Sequence, residues 1–143
     1  MPAYADVEVG QELPALTVPL QRVDLVRYCG VSGDFNVIHW NERVARAVGL
    51  PDVIAHGMLT MAQAARLVTG WTGDPGALVS YRVRFSRPVV VPDDDAGATL
   101  VVTGTVEEKL EDGRVVIGLT ATVDDSRVLG GARAVVRLRG AGA

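Results

Sequence analysis

Two short stretches of the sequence contain both histidines of the chain. The first is SGDFNVIHWN (32–41), in which Asp34 and His39 are five positions apart, and the second is AHGMLTMA (55–62), which contains His56. A carboxylate and an imidazole that converge on one water can take a proton from it and return one to a neighbouring carbon. Histidine suits this exchange because its ordinary pKa of about 6.5 lets it act in either direction near neutral pH. The pattern predicts reversible addition of water across a carbon-carbon double bond.

The residue after the second histidine suggests a further part of the site. Gly57 falls in the first turn of a predicted helix, where amide N–H groups lack intrahelical acceptors and the helix dipole favours negative charge. A thioester carbonyl becomes enolate-like when water adds at its β-carbon, so an N–H aimed at that oxygen acts as an oxyanion-hole donor. We therefore predict that the two stretches form one site.

The same residues also have purely structural interpretations. Asp34 and Asn36 are residue types that form turns, and Gly57 eases the entry into a helix. His56 precedes that helix, which favours a role for its backbone at the helix entrance. Alternatively, the two histidines and the carboxylate could hold iron or zinc, but the close paired spacing of a metal-binding helix is missing and the choice of ligands would be arbitrary. We predict no metal and no other cofactor.

The segment 98–138 is predicted to form three antiparallel strands, because apolar residues alternate along it. Asp112-Gly113 suits a two-residue hairpin turn, and a second turn is predicted at Asp125-Ser126. Both turns bring the apolar faces of neighbouring strands together. The predicted pairs are Val106 with Leu119 and Val102 with Val123 in the first hairpin, and Val123 with Val128, Leu119 with Ala132, Ile117 with Ala134 and Val115 with Val136 in the second.

A helix is predicted over HGMLTMAQAARLVTGW (56–71), ending at Gly70. The side of the helix opposite its apolar face carries few charged residues, so we expect protein to cover the helix almost all round. An α+β fold follows, with an antiparallel sheet of about five strands wrapped around one central helix. The predicted apolar face of the helix is Met58, Met61, Ala62, Ala65, Val68 and Thr69. Other predicted elements are strands at 16–20 and 78–91, with the second at a sheet edge, and helices at 24–29 and 41–49, with Asn41 as the cap of the latter and Gly49 as its stop.

Length and composition limit the alternatives. A chain of 143 residues suits one domain, spanning 1–143, and its net charge of −3 with scattered arginines predicts no nucleic-acid partner. The single cysteine, Cys29, and the lack of a visible secretory signal predict a cytoplasmic protein. No apolar run is long enough for membrane insertion. The predicted edge strand favours a dimer, formed with an identical or a related subunit.

The two chemical stretches resemble a known family. YCGVSGDFNVIHWNERVA (28–45) resembles the hydratase signature of the MaoC-like, (R)-specific enoyl hydratases: an aromatic residue, a small residue, Gly-Asp, Asn, and His five positions after the Asp. AHGMLTMA is similar to that family's second segment. More narrowly, GDFNVIHWNE, IAHGMLTM and GDPGALVSYRVRF resemble the HadB-like catalytic subunits of the (3R)-hydroxyacyl-ACP dehydratases of type II fatty acid synthesis. The chain departs from the signature at Val37, where proline is usual.

The resemblance implies a hot-dog fold with sheet order 1-3-4-5-2. It implies that Asp34 and His39 hold the catalytic water and that the Gly57 amide meets the thioester carbonyl. Ser32, Asn36 and His56 are the supporting positions. The expected activity is hydration of a trans-2-enoyl thioester, or dehydration of a (3R)-hydroxyacyl thioester, of acyl carrier protein or coenzyme A. Two alternatives stay open: a non-catalytic acyl-binding subunit and a hot-dog thioesterase.

Overall fold

One five-stranded antiparallel sheet and one long helix form most of the fold. The computed structural model of the protein describes residues 1–140. The long helix, α3, contacts all five strands and packs against one face of the sheet. The strands are β1 (Glu12–Leu20), β2 (Leu78–Phe85), β3 (Ala98–Lys109), β4 (Arg114–Val123) and β5 (Ser126–Arg137), and the helices are α1 (Arg22–Ser32), α2 (Glu42–Ala47) and α3 (Gly57–Thr72).

The strand order in the sheet is β1-β3-β4-β5-β2. This order, around one central helix, is the hot-dog arrangement, and the predicted α+β class is confirmed. The edge position of β2 is also confirmed, although the strand ends at Phe85 and not at 91. In the part of the chain that the structure describes, no helix is both long and apolar enough to cross a membrane.

The first hairpin of the meander is present, but its register differs by two residues from the prediction. Leu110 N donates to Arg114 O and Gly113 has φ 78°, so the loop contains three residues instead of two. The register also shifts at Glu107, which has no partner across the pair and forms a bulge. An even shift leaves the same side chains on the core face. The observed pairs are Val106 with Ile117 and Val102 with Ala121.

The second hairpin turns one residue earlier than predicted. Asp124 and Asp125 both have positive φ, 46° and 58°, so they are the two central turn residues. Val123 consequently pairs with Ser126 and not with Val128. Register shifts between Leu119 and Thr122 then restore the predicted alignment. The three remaining predicted pairs are confirmed: Leu119 with Ala132, Ile117 with Ala134 and Val115 with Val136.

Helix α3 was predicted with the wrong end and the wrong core face. It runs past Gly70 to Thr72, and Gly73 caps its C-terminus with φ 66°. Met58 is 57% exposed, so the helix is not covered all round within one copy of the chain. Because the helix is apolar on nearly every side, its sequence period is a weak guide to the buried face. The residues that are buried are Leu59, Thr60, Ala64, Leu67, Val68 and Thr72, of which only Val68 was predicted.

Glycine lets the helix lie close to the sheet at one point. A Cβ on Gly104 of β3 would lie 2.8 Å from a methyl carbon of Leu67 in α3. The absence of a side chain therefore gives Leu67 its place in the core.

Helices α1 and α2 flank the loop that carries part of the candidate site. Helix α1 is longer than predicted, reaching Ser32, and β1 begins at Glu12. Asn41 caps α2 as predicted, since its side chain accepts a hydrogen bond from Val44 N. Gly49 follows that helix with φ 92°.

Candidate active site

The loop after α1 presents Asp34 beside the core. Gly33 ends α1 in the left-handed region, with φ 74°, which turns the chain away from the helix axis. Ser32 Oγ then accepts from Asp34 N, and the Asp34 carboxylate accepts from Asn36 N. Asn36 in turn accepts from Ile38 N and so starts the short 3-10 helix that contains His39.

These contacts assign local roles to two of the predicted supporting residues. Ser32 also donates to Tyr28 O, so its hydroxyl links the end of α1 to the loop. The Asn36 side-chain oxygen is used as a cap, which is a positioning role within the loop.

Asp34 and His39 lie next to each other, as their spacing predicted. His39 Nε2 is 4.0 Å from the Asp34 carboxylate. The imidazole is buried, whereas the Asp34 side chain is 53% exposed. A gap of this size is longer than a hydrogen bond, so both groups keep capacity for a shared water or substrate atom.

A backbone carbonyl determines which nitrogen of His39 carries the proton. Nδ1 is 2.7 Å from Ile54 O. Because a carbonyl oxygen can only accept, Nδ1 is the donor, and in the neutral ring Nε2 holds the lone pair. That lone pair faces the Asp34 side, which suits a general base acting on water.

His56 contacts this pair through its side chain, which corrects the expectation that only its backbone matters. The ring stacks on the His39 ring with a centroid distance of 3.7 Å and an interplanar angle of 23°. His56 Nε2 is 3.1 Å from Asp34 O and 3.6 Å from Cys29 Sγ. Its backbone has the predicted role as well, since His56 O accepts from Thr60 N. Burial lowers the pKa of His56, so the ring is neutral at neutral pH.

Gly57 and His39 line the same pocket, whose volume is about 340 Å³. Gly57 is the first residue of α3, and no acceptor within residues 1–140 pairs with its N–H. A Cβ on Gly57 would lie 3.1–3.3 Å from ring atoms of Phe85, so the aromatic ring closes over the glycine. The pocket therefore combines a base, an unpaired amide and an aromatic wall.

The remaining walls of the pocket were not predicted. They come from residues 54–60 around the start of α3, from the segment after β2 and from the start of β5, and most of them are apolar. Apart from His39, Gly57 and Phe85, the lining residues are Ile54, Ala55, Thr60, Ser86, Arg87, Pro88, Val89, Val128 and Leu129.

Asp34, His39 and His56 also form the group of possible metal donors that the sequence suggested. One donor atom from each lies within 4.8 Å of the others. His39 Nδ1 and His56 Nε2 face carbonyl oxygens, which leaves one ring nitrogen free on each histidine. The arrangement suits a water-holding acid-base pair, in which the second histidine is part of the scaffold.

A larger groove of about 700 Å³ lies on the opposite face of the sheet, away from this site. None of the six predicted site residues lines it. Its wall includes Arg133 and Glu107, which pair at 2.8 Å across the strands. The larger cavity therefore lacks the residues suited to catalysis, and the smaller pocket, which His39 and Gly57 line, is the better candidate for the active site.

The comparisons with known proteins assign the family. The family model for the MaoC like domain matches residues 5–124. The chain belongs to the MaoC-like domain family. The resemblance seen in the two sequence stretches is thus confirmed, and the hot-dog architecture agrees with it.

Three relatives illustrate the similarity of this MaoC-like chain. It is 33% identical over 107 residues to the (R)-specific enoyl-CoA hydratase of Rhodospirillum rubrum, covering 74% of this chain and 73% of that protein. It is 39% identical over 79 residues to 3-hydroxyacyl-thioester dehydratase X of Mycobacterium tuberculosis, covering 55% of this chain but 27% of that protein. A solved MaoC-like dehydratase superposes with a TM-score of 0.93 at 43% identity, covering 96% of this chain and 42% of the other. The MaoC-like chain thus matches only part of the length of two of these three relatives.

Proposed function

We propose that this chain is a hydro-lyase that adds water to trans-2-enoyl thioesters and, in reverse, dehydrates (3R)-3-hydroxyacyl thioesters. One observation carries the proposal: the His39 Nε2 lone pair faces the Asp34 carboxylate at 4.0 Å, beside a pocket that also contains the first amide of α3. The names of the R. rubrum and M. tuberculosis relatives support the same class of reaction.

Each group has a defined part in the proposed reaction. The Asp34–His39 pair takes one proton from water as the water oxygen bonds to the β-carbon. The electrons of the double bond move toward the thioester carbonyl. The Asp34–His39 pair then returns a proton to the α-carbon as the carbonyl re-forms. Gly57 N–H donates to the carbonyl oxygen while it carries negative charge, a contribution of about 3 kcal/mol in comparable sites. Dehydration follows the same steps in reverse.

The substrate is proposed to be a thioester of acyl carrier protein or of coenzyme A, since both present the same pantetheine arm. The apolar pocket walls, such as Val89 and Leu129, suit an acyl chain. The likeness to HadB-like subunits favours a place in type II fatty acid synthesis. A buried free thiol at Cys29 fits the proposed cytoplasmic location. A dimer through the β2 edge, with an identical or related subunit, completes the proposal.

The direct test follows the ultraviolet absorbance of an enoyl thioester, such as crotonyl-CoA, as water is added. Asp34→Asn keeps an oxygen that can accept from Asn36 N, so the loop is retained while the carboxylate is lost. His39→Asn keeps a donor at the position of Nδ1 but removes the base. We expect each change to lower kcat by at least about 100-fold. Asp93→Asn, at an exposed position, is the control and should keep the normal rate.

Several outcomes would contradict the proposal. Normal turnover in both folded variants would exclude the Asp34–His39 mechanism. Release of free thiol without hydration would indicate a thioesterase, and substrate binding without turnover would indicate a silent subunit. Loss of activity in EDTA, restored by a metal ion, would favour the alternative role of the three clustered donors as a metal site.

A further inference from the structure

We propose that His56 is a positioning residue of this site, whose imidazole holds the Asp34 loop and the His39 ring in the arrangement that turnover requires. The inference rests on the proposed function, and it adds a third side chain to the Asp34–His39 pair on which that function depends. It differs from a helix-entrance role because it assigns the effect to the ring nitrogens and the ring face.

The first observation is how the Asp34 loop is tied to the rest of the molecule. Among the described residues, the side-chain hydrogen bond from His56 Nε2 to Asp34 O is the one bond of segment 33–36 that spans more than five positions. Because the partner is a carbonyl, Nε2 must carry the proton. The other bonds of the segment are local: Gly33 N to Cys29 O, Asp34 N to Ser32 Oγ, Asn36 N to Asp34 Oδ1, Ile38 N to Asn36 Oδ1, His39 N to Asn36 O and Trp40 Nε1 to Phe35 O.

The second observation is the packing of the ring. His56 is 2% exposed and lies between two aromatic neighbours. It stacks on His39 at 3.7 Å, and the Tyr28 ring meets it edge-on at 4.8 Å. A ring fixed on both sides leaves His39 little freedom to tilt, because the ring of His39 is also held at Nδ1.

The third observation is that one short segment supplies a contact or group to each part of the site. Ile54 O fixes His39, the His56 ring fixes the Asp34 backbone, and Gly57 begins α3 with its free amide. The segment is itself anchored, since Ile54 N donates to Ile38 O and Ala55 N donates to Val89 O. The base, the acid and the amide are therefore aligned by four consecutive residues, 54–57.

The electrostatics of the ring fit the same role. His56 Nδ1 is buried and has no hydrogen-bond partner among the described residues, so a proton there would be poorly stabilised. Burial lowers the pKa of His56 accordingly. A neutral His56 does not repel His39 when His39 gains a proton during turnover, which a second cation at 3.7 Å would do.

The test uses two variants that separate the ring from its donor. His56→Phe keeps an aromatic ring for stacking and removes the bond to Asp34 O, whereas His56→Gln places an amide N–H near the position of Nε2. Since misplacement of catalytic groups by about 1 Å costs on the order of 100-fold, we expect kcat of His56→Phe to fall about 10- to 100-fold with KM within about threefold. The kcat of His56→Gln should be at least about tenfold higher than that of His56→Phe.

Cys29→Ala is the matched control, because the thiol touches the same ring nitrogen at 3.6 Å and is equally buried. It should reduce stability without changing kcat. A kcat in His56→Phe equal to that of the wild type, per folded molecule, would overturn the proposal. Equal losses in the Phe and Gln variants would do the same.

A readout that needs no turnover separates this inference from the proposed function. The chain has two histidines, so His39 is the single imidazole left in His56→Phe and its nitrogen resonances are unambiguous. We expect faster amide exchange at 33–36 and a mixture of His39 tautomers in His56→Phe, and near-normal values in His56→Gln. Unchanged exchange and one tautomer in the Phe variant would overturn the positioning role even if the wild type proved inactive as a hydratase.

Discussion

At the scale of single residues, the backbone amide of Gly57 can be tested apart from its side chain. Gly57 is the first residue of α3, a position where proline is tolerated because its N–H has no intrahelical acceptor. His56 has φ −58° and ψ 134°, which is the conformation that proline favours in the preceding residue. Gly57→Pro should therefore fold with its helix intact and lack the proposed oxyanion donor.

We predict that Gly57→Pro lowers kcat about 100-fold relative to Gly57→Ala. The alanine variant keeps the N–H and adds the same Cβ, which meets the Phe85 ring at 3.1–3.3 Å. When both variants also carry Phe85→Leu, most of that contact is removed. The remaining difference in kcat between them then measures the contribution of the Gly57 N–H. Equal rates in the pair would mean that this N–H does not bind the developing oxyanion.

The buried ring of His56 also predicts how stability depends on pH. Its pKa is lowered by burial, so below about pH 6.5 the unfolded chain binds a proton that the folded chain excludes. The stabilising contribution is present above the unfolded pKa and is lost as the pH falls through the folded pKa. We expect the free energy of unfolding in urea to fall between about pH 7.5 and about pH 5.5, and to fall less in His56→Gln. An equal decrease in both proteins would place the titrating group elsewhere.

At the scale of elements, a cluster of ion pairs anchors α1 and α2 to the segment that leads into the site. Arg22 Nη2 lies 2.6 Å from Asp52 and Arg22 Nε donates to Val91 O at 2.6 Å. Both charged side chains are mostly buried. Glu42 of α2 joins the same guanidinium at 3.4 Å. The chain therefore enters 53–57 from a fixed point.

We predict that Arg22→Met lowers the free energy of unfolding by about 2 kcal/mol, because hydrogen bonds to charged groups at partly buried sites are lost. Arg27→Met is the control. Arg27 likewise pairs with an aspartate, Asp24 of α1, but its side chain is 70% exposed. It should change stability by less than about 0.5 kcal/mol. Urea unfolding measures both, and similar losses would show that burial of the Arg22 cluster adds nothing.

The elements also show where sequence reasoning succeeds and where it stops. Alternation identified the faces of β3, β4 and β5, because a shift of two residues leaves those faces unchanged. The register itself depended on the three-residue loop after Leu110 and on the bulge at Glu107, for which alternation carries no signal. In α3, periodicity could not choose among nearly equivalent apolar sides.

The candidate site shows the same division. The spacing of Asp34 and His39 was sufficient to predict that they meet. The orientation of the His39 ring comes from Ile54 O, a backbone atom whose role does not depend on residue type. The pocket walls at 85–89 and 128–129 are remote in sequence from both stretches, so no local pattern could have joined them.

In a single copy of the whole molecule, the sheet edge formed by β2 has no neighbouring strand within the described part of the chain. The strand is an edge, and Val79 and Phe85 on it are each about half exposed. Met58, in the first turn of α3, is exposed as well. Pairing of this edge with a second subunit would satisfy its free backbone groups and cover these apolar side chains.

We predict that the wild-type chain is a dimer by light scattering and that Val79→Arg raises its dissociation constant at least about 100-fold. The reason is that a charge introduced on the edge strand, at its second residue, would be desolvated without a partner. Val48→Arg is the control, because Val48 follows α2, is at least as exposed as Val79 and lies outside the sheet. A Val79→Arg variant that stays dimeric would place the interface elsewhere. A wild-type chain that stays monomeric when concentrated, yet dimerises with a related hot-dog subunit, would show that the edge selects a different partner over a second copy of itself.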